Sequence, residues 1–96
     1  MNTRYYFQNV NETCKKGVES FFSQKKIGQI EKLLTAEQKN LSQLNVRVEY
    51  FEKHNAFVVK TEMSLGKSVF FSQEDSHDVK KALNLAVKRL VSQLKK

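Results

Sequence analysis

The sequence predicts one α+β domain over residues 1–96, with the element order β-α-β-β-β-α and both helices packed on one face of a four-stranded sheet. Three observations predict this fold. The 96 residues are enough for a single hydrophobic core. Three segments in the second half alternate apolar and polar residues and are joined by short connections, which favours an antiparallel meander. Two other segments repeat apolar residues at helical spacing, so each has one apolar face.

The first half of the chain predicts one strand followed by one helix. Thr3–Val10 is rich in aromatic and β-favouring residues, which is typical of a strand. Asn11–Leu34 has a helical composition, and Asn11 or Thr13 can cap its start. The apolar face of this helix shifts by roughly 140° near Lys25. We interpret the shift as a one-residue π-bulge, a kink or a break.

The three strands of the meander are predicted at Asn45–Lys53, Ala56–Met63 and Lys67–Gln73. Each of them alternates side chains between two faces. The dipeptides His54-Asn55 and Leu65-Gly66 stand where tight hairpin turns are expected, and glycine tolerates a positive φ there. The two short connections place the three strands side by side.

Two further helix starts carry capping signals. In the connector, residues 34–44, Thr35 and Gln38 match a capping box, which predicts a helical turn. Before the last helix, Ser76 can cap, and Asp78 adds negative charge at the positive end of the helix dipole. The last helix itself has a regular apolar stripe, which comprises Val79, Ala82, Leu83, Ala86, Val87, Leu90, Val91 and Leu94.

The composition favours a partner that is a polyanion. The net charge is +7 and the isoelectric point is near 9.6, so nucleic acid and an anionic membrane surface are the two classes indicated. No apolar run approaches the roughly 20 residues of a membrane span, and no leader segment opens the sequence. We therefore expect a cytoplasmic protein.

No residue pattern points to catalysis, to a metal or to a cofactor. Cys14 lies among apolar helix positions, where we expect an inert thiol. His54 and His77 stand apart from each other and are expected at the surface. Capping and helix-dipole roles account for Glu74, Asp75 and Asp78. We expect that the protein is not an enzyme.

The basic residues of the last helix have no acidic neighbour after Asp78. At 100° per residue, one outward ridge lies opposite the apolar stripe, flanked by Lys80 and bordered by Arg89. The ridge comprises Lys81, Asn84, Lys88, Ser92 and Lys95. If both helices cover the same sheet face, their solvent-exposed sides form one positive surface that can bind phosphate. Because lysine dominates, we expect recognition of backbone and shape rather than of sequence.

The aromatic pairs Tyr5-Tyr6 and Phe70-Phe71 each span both faces of a strand, so one member of each pair is expected in the core. The other member of each pair either stacks on bases or is simply exposed, and the sequence is compatible with both.

The last helix also carries a family likeness. Asp78, then Ala82-Leu83-Asn84, Arg89-Leu90, Gln93-Leu94 and Lys96 resemble the pattern D-x-x-x-A-I-[DN] closing with K-L-x-x-Q-L. Residues 46–74 have the matching three-strand layout with Gly66 at the last hairpin, and residues 25–34 resemble an A-K-[FL]-x-K-L-E-like helix end. Together these features resemble the bacterial ribosome hibernation-promoting factors, also called ribosome-associated inhibitor or protein Y, in their short form.

The resemblance implies a fold similar in outline to double-stranded-RNA-binding domains. It also implies a monomer without a cofactor that binds the small ribosomal subunit in the messenger and transfer RNA channel, contacts 16S ribosomal RNA through both helices, and stops translation in resting cells under stress, as in stationary phase. By position in the family pattern, the implied RNA contacts are Lys25, Lys26, Lys32, Arg89 and Lys96. The charge pattern alone adds Lys80, Lys81, Lys88 and Lys95. The family usually has tyrosine where Lys80 stands.

Two other functions stay open on the sequence. One is a general double-stranded-RNA-binding module that acts off the ribosome, although the acidic start of the last helix at Asp78 differs from the basic turn of such modules. The other is a protein-interaction domain, for example a homodimer formed through an open sheet edge or exposed aromatic residues.

Overall fold

The computed structural model describes residues 1–95 and confirms the predicted order of strands and helices. The strands are β1 (Asn2–Gln8), β2 (Ser42–Phe51), β3 (Ala56–Leu65) and β4 (Ser68–Ser76). The helices are α1 (Glu12–Phe21), α2 (Ile27–Glu31), α3 (Ala36–Leu41) and α4 (Val79–Leu94). One π-helical turn (Phe22–Lys26) joins α1 to α2, and a 3-10 turn (Glu52–His54) follows β2. The predicted contact Lys96 lies outside the described residues.

The four strands form one mixed sheet in the order β1-β2-β3-β4. The pairs β2/β3 and β3/β4 are antiparallel, as the meander predicts, whereas β1 pairs with β2 in parallel. A parallel pair needs a long crossover connection. Helices α1, α2 and α3 supply this crossover, so the predicted connector at residues 34–44 becomes α3 and the first residues of β2.

The core lies on one face of the sheet. Alternation along β2 and β3 places one set of side chains inward, where Val46 and Val59 are fully buried. The helices bury Phe22 and Ile30 from the first helical segment, and Leu83 and Leu90 among others from α4, in the same cluster. Both helical segments therefore pack on one sheet face, as predicted, and no helix of residues 1–95 packs on the other sheet face.

The shift of the apolar stripe near Lys25 is a π-bulge. The N–H of Ile27 donates to the carbonyl oxygen of Phe22, which is an i→i−5 bond instead of i→i−4. One inserted residue takes up about 100° of rotation, so the two apolar faces nearly coincide. Phe22 and Ile30 are both fully buried as a result. Of the three interpretations of the shift, the bulge is the one confirmed.

Both hairpin turns differ from the predicted positions. Phe51 pairs with Ala56, so the β2–β3 loop has four residues rather than a tight turn at His54-Asn55. Asn55 has a φ of 45°, which asparagine tolerates, and the Tyr50 hydroxyl donates to the Asn55 side chain at 2.6 Å. The second turn lies one residue later than predicted, at Gly66-Lys67, because Leu65 pairs with Ser68. Gly66 has a φ of 61°, as a two-residue hairpin turn requires.

The capping predictions are partly confirmed. Asn11 caps α1 through its side-chain oxygen, and Thr35 and Gln38 form the complete capping box of α3. Ser76 does not cap α4, because β4 extends to that residue. Asp78 is the N-cap instead and accepts from the Lys80 N–H at 2.9 Å.

Candidate nucleic-acid interface

The outer ridge of α4 presents a row of lysines to solvent. Lys81, Lys88 and Lys95 are exposed, and Asn84 and Ser92 are exposed between them. Successive lysines of the row are seven residues apart, which is about 10 Å along a helix axis. The row exists because the apolar stripe of α4 packs against the core, so the opposite side of the helix faces solvent and carries polar residues.

The lysines of this row are free of acidic partners. Within residues 1–95, the ion pairs are Lys15 with Glu12 and Arg89 with Glu74. None of the described lysines of α4 therefore has a carboxylate oxygen within 4.0 Å. When unpaired, exposed ammonium groups bind phosphates, they release the counterions condensed on the nucleic acid.

Arg89 differs from the lysines because it is already paired. Its guanidinium contacts the carboxylate of Glu74, whose side chain is only 16% exposed, while the Arg89 side chain is 66% exposed. One turn further along α4, the Gln93 amide donates to the carbonyl oxygen of Phe71. The predicted capping and dipole role of Glu74 is wrong, because β4 turns this residue toward α4 and Arg89 reaches it there.

The first helical segment adds positive charge on the same side of the sheet. Lys25 and Lys32 are exposed. Lys26 is half-buried, with its ammonium 5.3 Å from the centre of the Phe21 ring, a cation–π contact. The condition for one shared positive surface is therefore met, since both helical segments cover one sheet face. Glu19 is also exposed on α1, so this half of the surface is mixed in charge.

The opposite sheet face carries functional candidates that the sequence argument missed. Arg47 and Lys60 are exposed there and lie directly opposite each other on β2 and β3. The aromatic pairs divide as predicted: Tyr5 and Phe70 pack against the core, whereas Tyr6 is 40% exposed and Phe71 is 61% exposed. The sequence signal that would place these two cations opposite each other is the register of the β2–β3 hairpin. The predicted turn at His54-Asn55 gives a register that differs from the observed one by two residues.

Burial shifts the pKa values of two side chains in the first part of the chain. Burial raises the pKa of the Cys14 thiol, so the unreactive protonated form is favoured. Burial, assisted by the charge of Glu19, raises the pKa of Tyr5. Residues 1–95 contain no cluster of three or more His, Cys, Asp or Glu side chains suited to a metal ion. No helix in the described part of the chain has the length and apolar character to cross a membrane.

Comparisons with known proteins agree with the fold. The sequence pattern of the family described as "Sigma 54 modulation protein / S30EA ribosomal protein" matches residues 11–96. The Thermus thermophilus Protein Y N-terminal domain is 20% identical, with a TM-score of 0.75 over 99% of this chain and 97% of that one. A ribosomal subunit interface protein from Coxiella burnetii is 15% identical, with a TM-score of 0.69 over 99% and 94%. At these identities the two structures establish the fold. No curated protein matches the sequence.

Proposed function

The chain belongs to the sigma 54 modulation protein / S30EA ribosomal protein family, and from this premise we propose that it is a ribosome-associated hibernation factor that inhibits translation. The two proteins of similar structure, a Protein Y and a ribosomal subunit interface protein, support this role. The observation that carries the proposal for this chain is the row Lys81, Lys88 and Lys95, which is exposed and has no acidic partner among residues 1–95.

We infer that the partner is 16S ribosomal RNA in the messenger and transfer RNA channel of the small subunit. The lysines act as point charges on phosphates, and the gain comes from released counterions. Lys80 and Arg89 border the row, and the first helical segment extends the surface. These are the residues predicted from the sequence, including Lys25, Lys26 and Lys32. Occupation of the channel blocks translation by exclusion, which requires no chemical step. The protein acts as a single ribosome-binding domain, a monomer in the cytoplasm.

The test is sedimentation with isolated 30S subunits at several salt concentrations. The double variant Lys81→Gln with Lys88→Gln removes two phosphate contacts, each contributing about 0.9 to the slope of log affinity against log salt. We expect binding about 60-fold weaker at 0.1 M salt and about 18-fold weaker at 0.2 M salt. The matched control is Lys53→Gln with Lys67→Gln, which removes equal charge from exposed hairpin loops at the ends of the strands.

Binding of the control should stay within about twofold of wild type, because rim charges away from a contact have small effects. An equal loss in both double variants would mean that only total charge matters. Failure of the wild-type protein to sediment with 30S subunits at 0.1 M salt would refute the proposal.

The alternative function is a general duplex-RNA module that acts off the ribosome. A ridge of lysines binds phosphates as point charges more than it reads base edges, which favours shape recognition of any duplex. Competition decides between the two functions: a plain 20-base-pair RNA duplex should displace the protein from 30S subunits only at large excess if the ribosome is the partner. Equal affinity for both would support the general module.

A further inference from the structure

The helix-free face of the sheet holds a groove of about 630 Å³. The strand register places one row of side chains straight across it: Tyr6 opposite Arg47, Arg47 opposite Lys60, and Lys60 opposite Gln73. The neighbouring row includes Phe71 on the edge strand β4. At the β4 side the groove is bounded by Gln93 of α4.

Two cations stand at the centre of this groove, and one carboxylate of the lining, Glu62, lies in the neighbouring row. Like charges directly opposite each other on neighbouring strands are destabilising, yet Arg47 and Lys60 are such a pair. In residues 1–95 neither has a carboxylate within 4.0 Å. The Arg47 guanidinium lies instead 5.1 Å from the Tyr6 ring centre. An anion bound between the two cations would remove their repulsion.

Aromatic rings stand on both sides of the cations. The Tyr6 ring is on β1 and the Phe71 ring is on β4, and these two strands are three strand spacings, or about 14 Å, apart. Both are among the exposed large apolar side chains of the described chain, and Phe71 is 61% exposed. Flat exposed rings flanking a pair of cations are the arrangement that stacks bases and holds a phosphate backbone between them.

We propose that this sheet face binds single-stranded RNA, with phosphates on Arg47 and Lys60 and bases stacked on Phe71 and Tyr6. Glu62, opposite Phe71, is placed to accept from a base amino group. A second copy of the chain fits the face less well, because a two-fold contact would bring the central cations of both copies together. The central cations and the two rings are on the other side of the sheet from the α4 lysine row, and the rim of the groove reaches α4 at Arg89 and Gln93. Variants of the central residues therefore test this site separately from the function proposed above.

The test uses a fluorescein-labelled 12-nucleotide oligo(A) and fluorescence anisotropy. Phe71→Leu keeps an apolar side chain but removes the ring, and losing one base stack should weaken binding roughly five- to a hundredfold. The matched control, Val69→Ala, alters a 47% exposed residue on the same strand. Val69 does not line the groove, so we expect a change of less than about twofold. Circular dichroism checks that both variants fold.

A second variant tests the cations. Arg47→Gln with Lys60→Gln should lower the slope of log affinity against log salt by about 1.4, or 0.7 per contact on a single strand. Greater loss of oligo(A) binding in Lys81→Gln with Lys88→Gln than in the sheet-face variants would overturn the proposal. A dimer in sedimentation velocity that Phe71→Leu dissociates, with unchanged oligo(A) binding, would overturn it as well. Neither outcome changes the 30S measurement on the α4 variants, so the two proposals fail separately.

Discussion

Replacing Arg89 by glutamine should destabilise the fold, whereas the same change at its neighbour Lys88 should not. Both side chains are exposed cations on α4, but only Arg89 is paired, with the mostly buried carboxylate of Glu74. Arg89→Gln therefore leaves a poorly solvated charge without its partner. Lys88→Gln leaves nothing unpaired, and surface changes of this kind stay within about 0.5 kcal/mol.

The magnitude follows from the unequal exposure of the pair. Arg89 is 66% exposed and Glu74 is 16% exposed, so the attraction itself is worth no more than about 1 kcal/mol. Leaving the carboxylate unpaired costs about 1–3 kcal/mol. We expect a loss of about 1–2 kcal/mol in the free energy of unfolding. For a domain of 96 residues, this lowers the melting temperature by roughly 4–16 °C.

The assay is thermal and urea unfolding of Arg89→Gln, Lys88→Gln and the double variant Arg89→Gln with Glu74→Gln. Because the double variant removes the buried charge as well, its stability should return to within about 0.5 kcal/mol of wild type. Equal melting temperatures for Arg89→Gln and Lys88→Gln would refute the reasoning, because the pair would then contribute nothing.

The same pair has a consequence for binding. Glu74→Gln frees the Arg89 guanidinium, which adds one available phosphate contact and should strengthen 30S binding about eightfold at 0.1 M salt. Asp75→Asn is the matched control, since it changes the net charge equally and lies on the opposite sheet face. Equal gains in the two variants would show that the pairing of Arg89 does not limit binding.

Three further predictions concern the core, the backbone and the thiol. Phe22→Ala should cost about 3–5 kcal/mol in urea unfolding, since Phe22 is fully buried, whereas Phe71→Ala should cost less than about 1 kcal/mol. Gly66→Ala should lower the free energy of unfolding by about 1–2 kcal/mol, because φ is positive there. Gly28→Ala should raise it by about 0.5–1 kcal/mol, because Gly28 is within a helix and the added carbon meets open space. Equal effects of the two substitutions would contradict this reasoning. Iodoacetamide should alkylate Cys14 more slowly than free cysteine at pH 8, because the pKa of Cys14 is raised, and the rate should increase at higher pH. If the pH at which the alkylation rate is half-maximal were lower for Cys14 than for free cysteine, the prediction would be contradicted.

The fold was predictable because local patterns and burial agree. The apolar stripe of α4 and the alternation of the three meander strands each match the face that is buried. The phase shift near Lys25 indicated a change in the helix there, and the bulge, one of the three interpretations, is the change that brings Phe22 and Ile30 onto one face in the structure. The parallel pairing of β1 with β2 was not predictable in the same way, because it depends on a contact between segments about 40 residues apart in sequence.

The sheet-face site escaped prediction for a physical reason. A two-residue turn at His54-Asn55 would place Arg47 opposite Glu62, an opposite-charge pair that needs no ligand. The actual four-residue loop shifts the pairing by two residues. A shift of two keeps every side chain on its face, so apolar alternation cannot detect it. The shift changes the cross-strand partner of every residue in the pair of strands, and the partner of Arg47 becomes Lys60 instead of Glu62.

The sequence predicts that the cations of α4 are exposed, but not which of them forms an ion pair. Periodicity places Lys88 and Arg89 outside the core, and both are exposed. It does not tell which cation has a carboxylate partner, because Glu74 lies on another element and reaches Arg89 only through the packing of α4 on β4.

The π-turn affects how this chain can be compared with its relatives. A relative with a continuous α-helix would need one residue fewer to join two buried side chains equivalent to Phe22 and Ile30. Aligning two such sequences requires a one-residue gap inside the segment 22–26. Without that gap, every residue on one side would be matched to a position rotated by about 100°. Roles assigned by counting to Lys25 or Lys26 therefore have to be transferred by superposition of structures, separately before and after the turn.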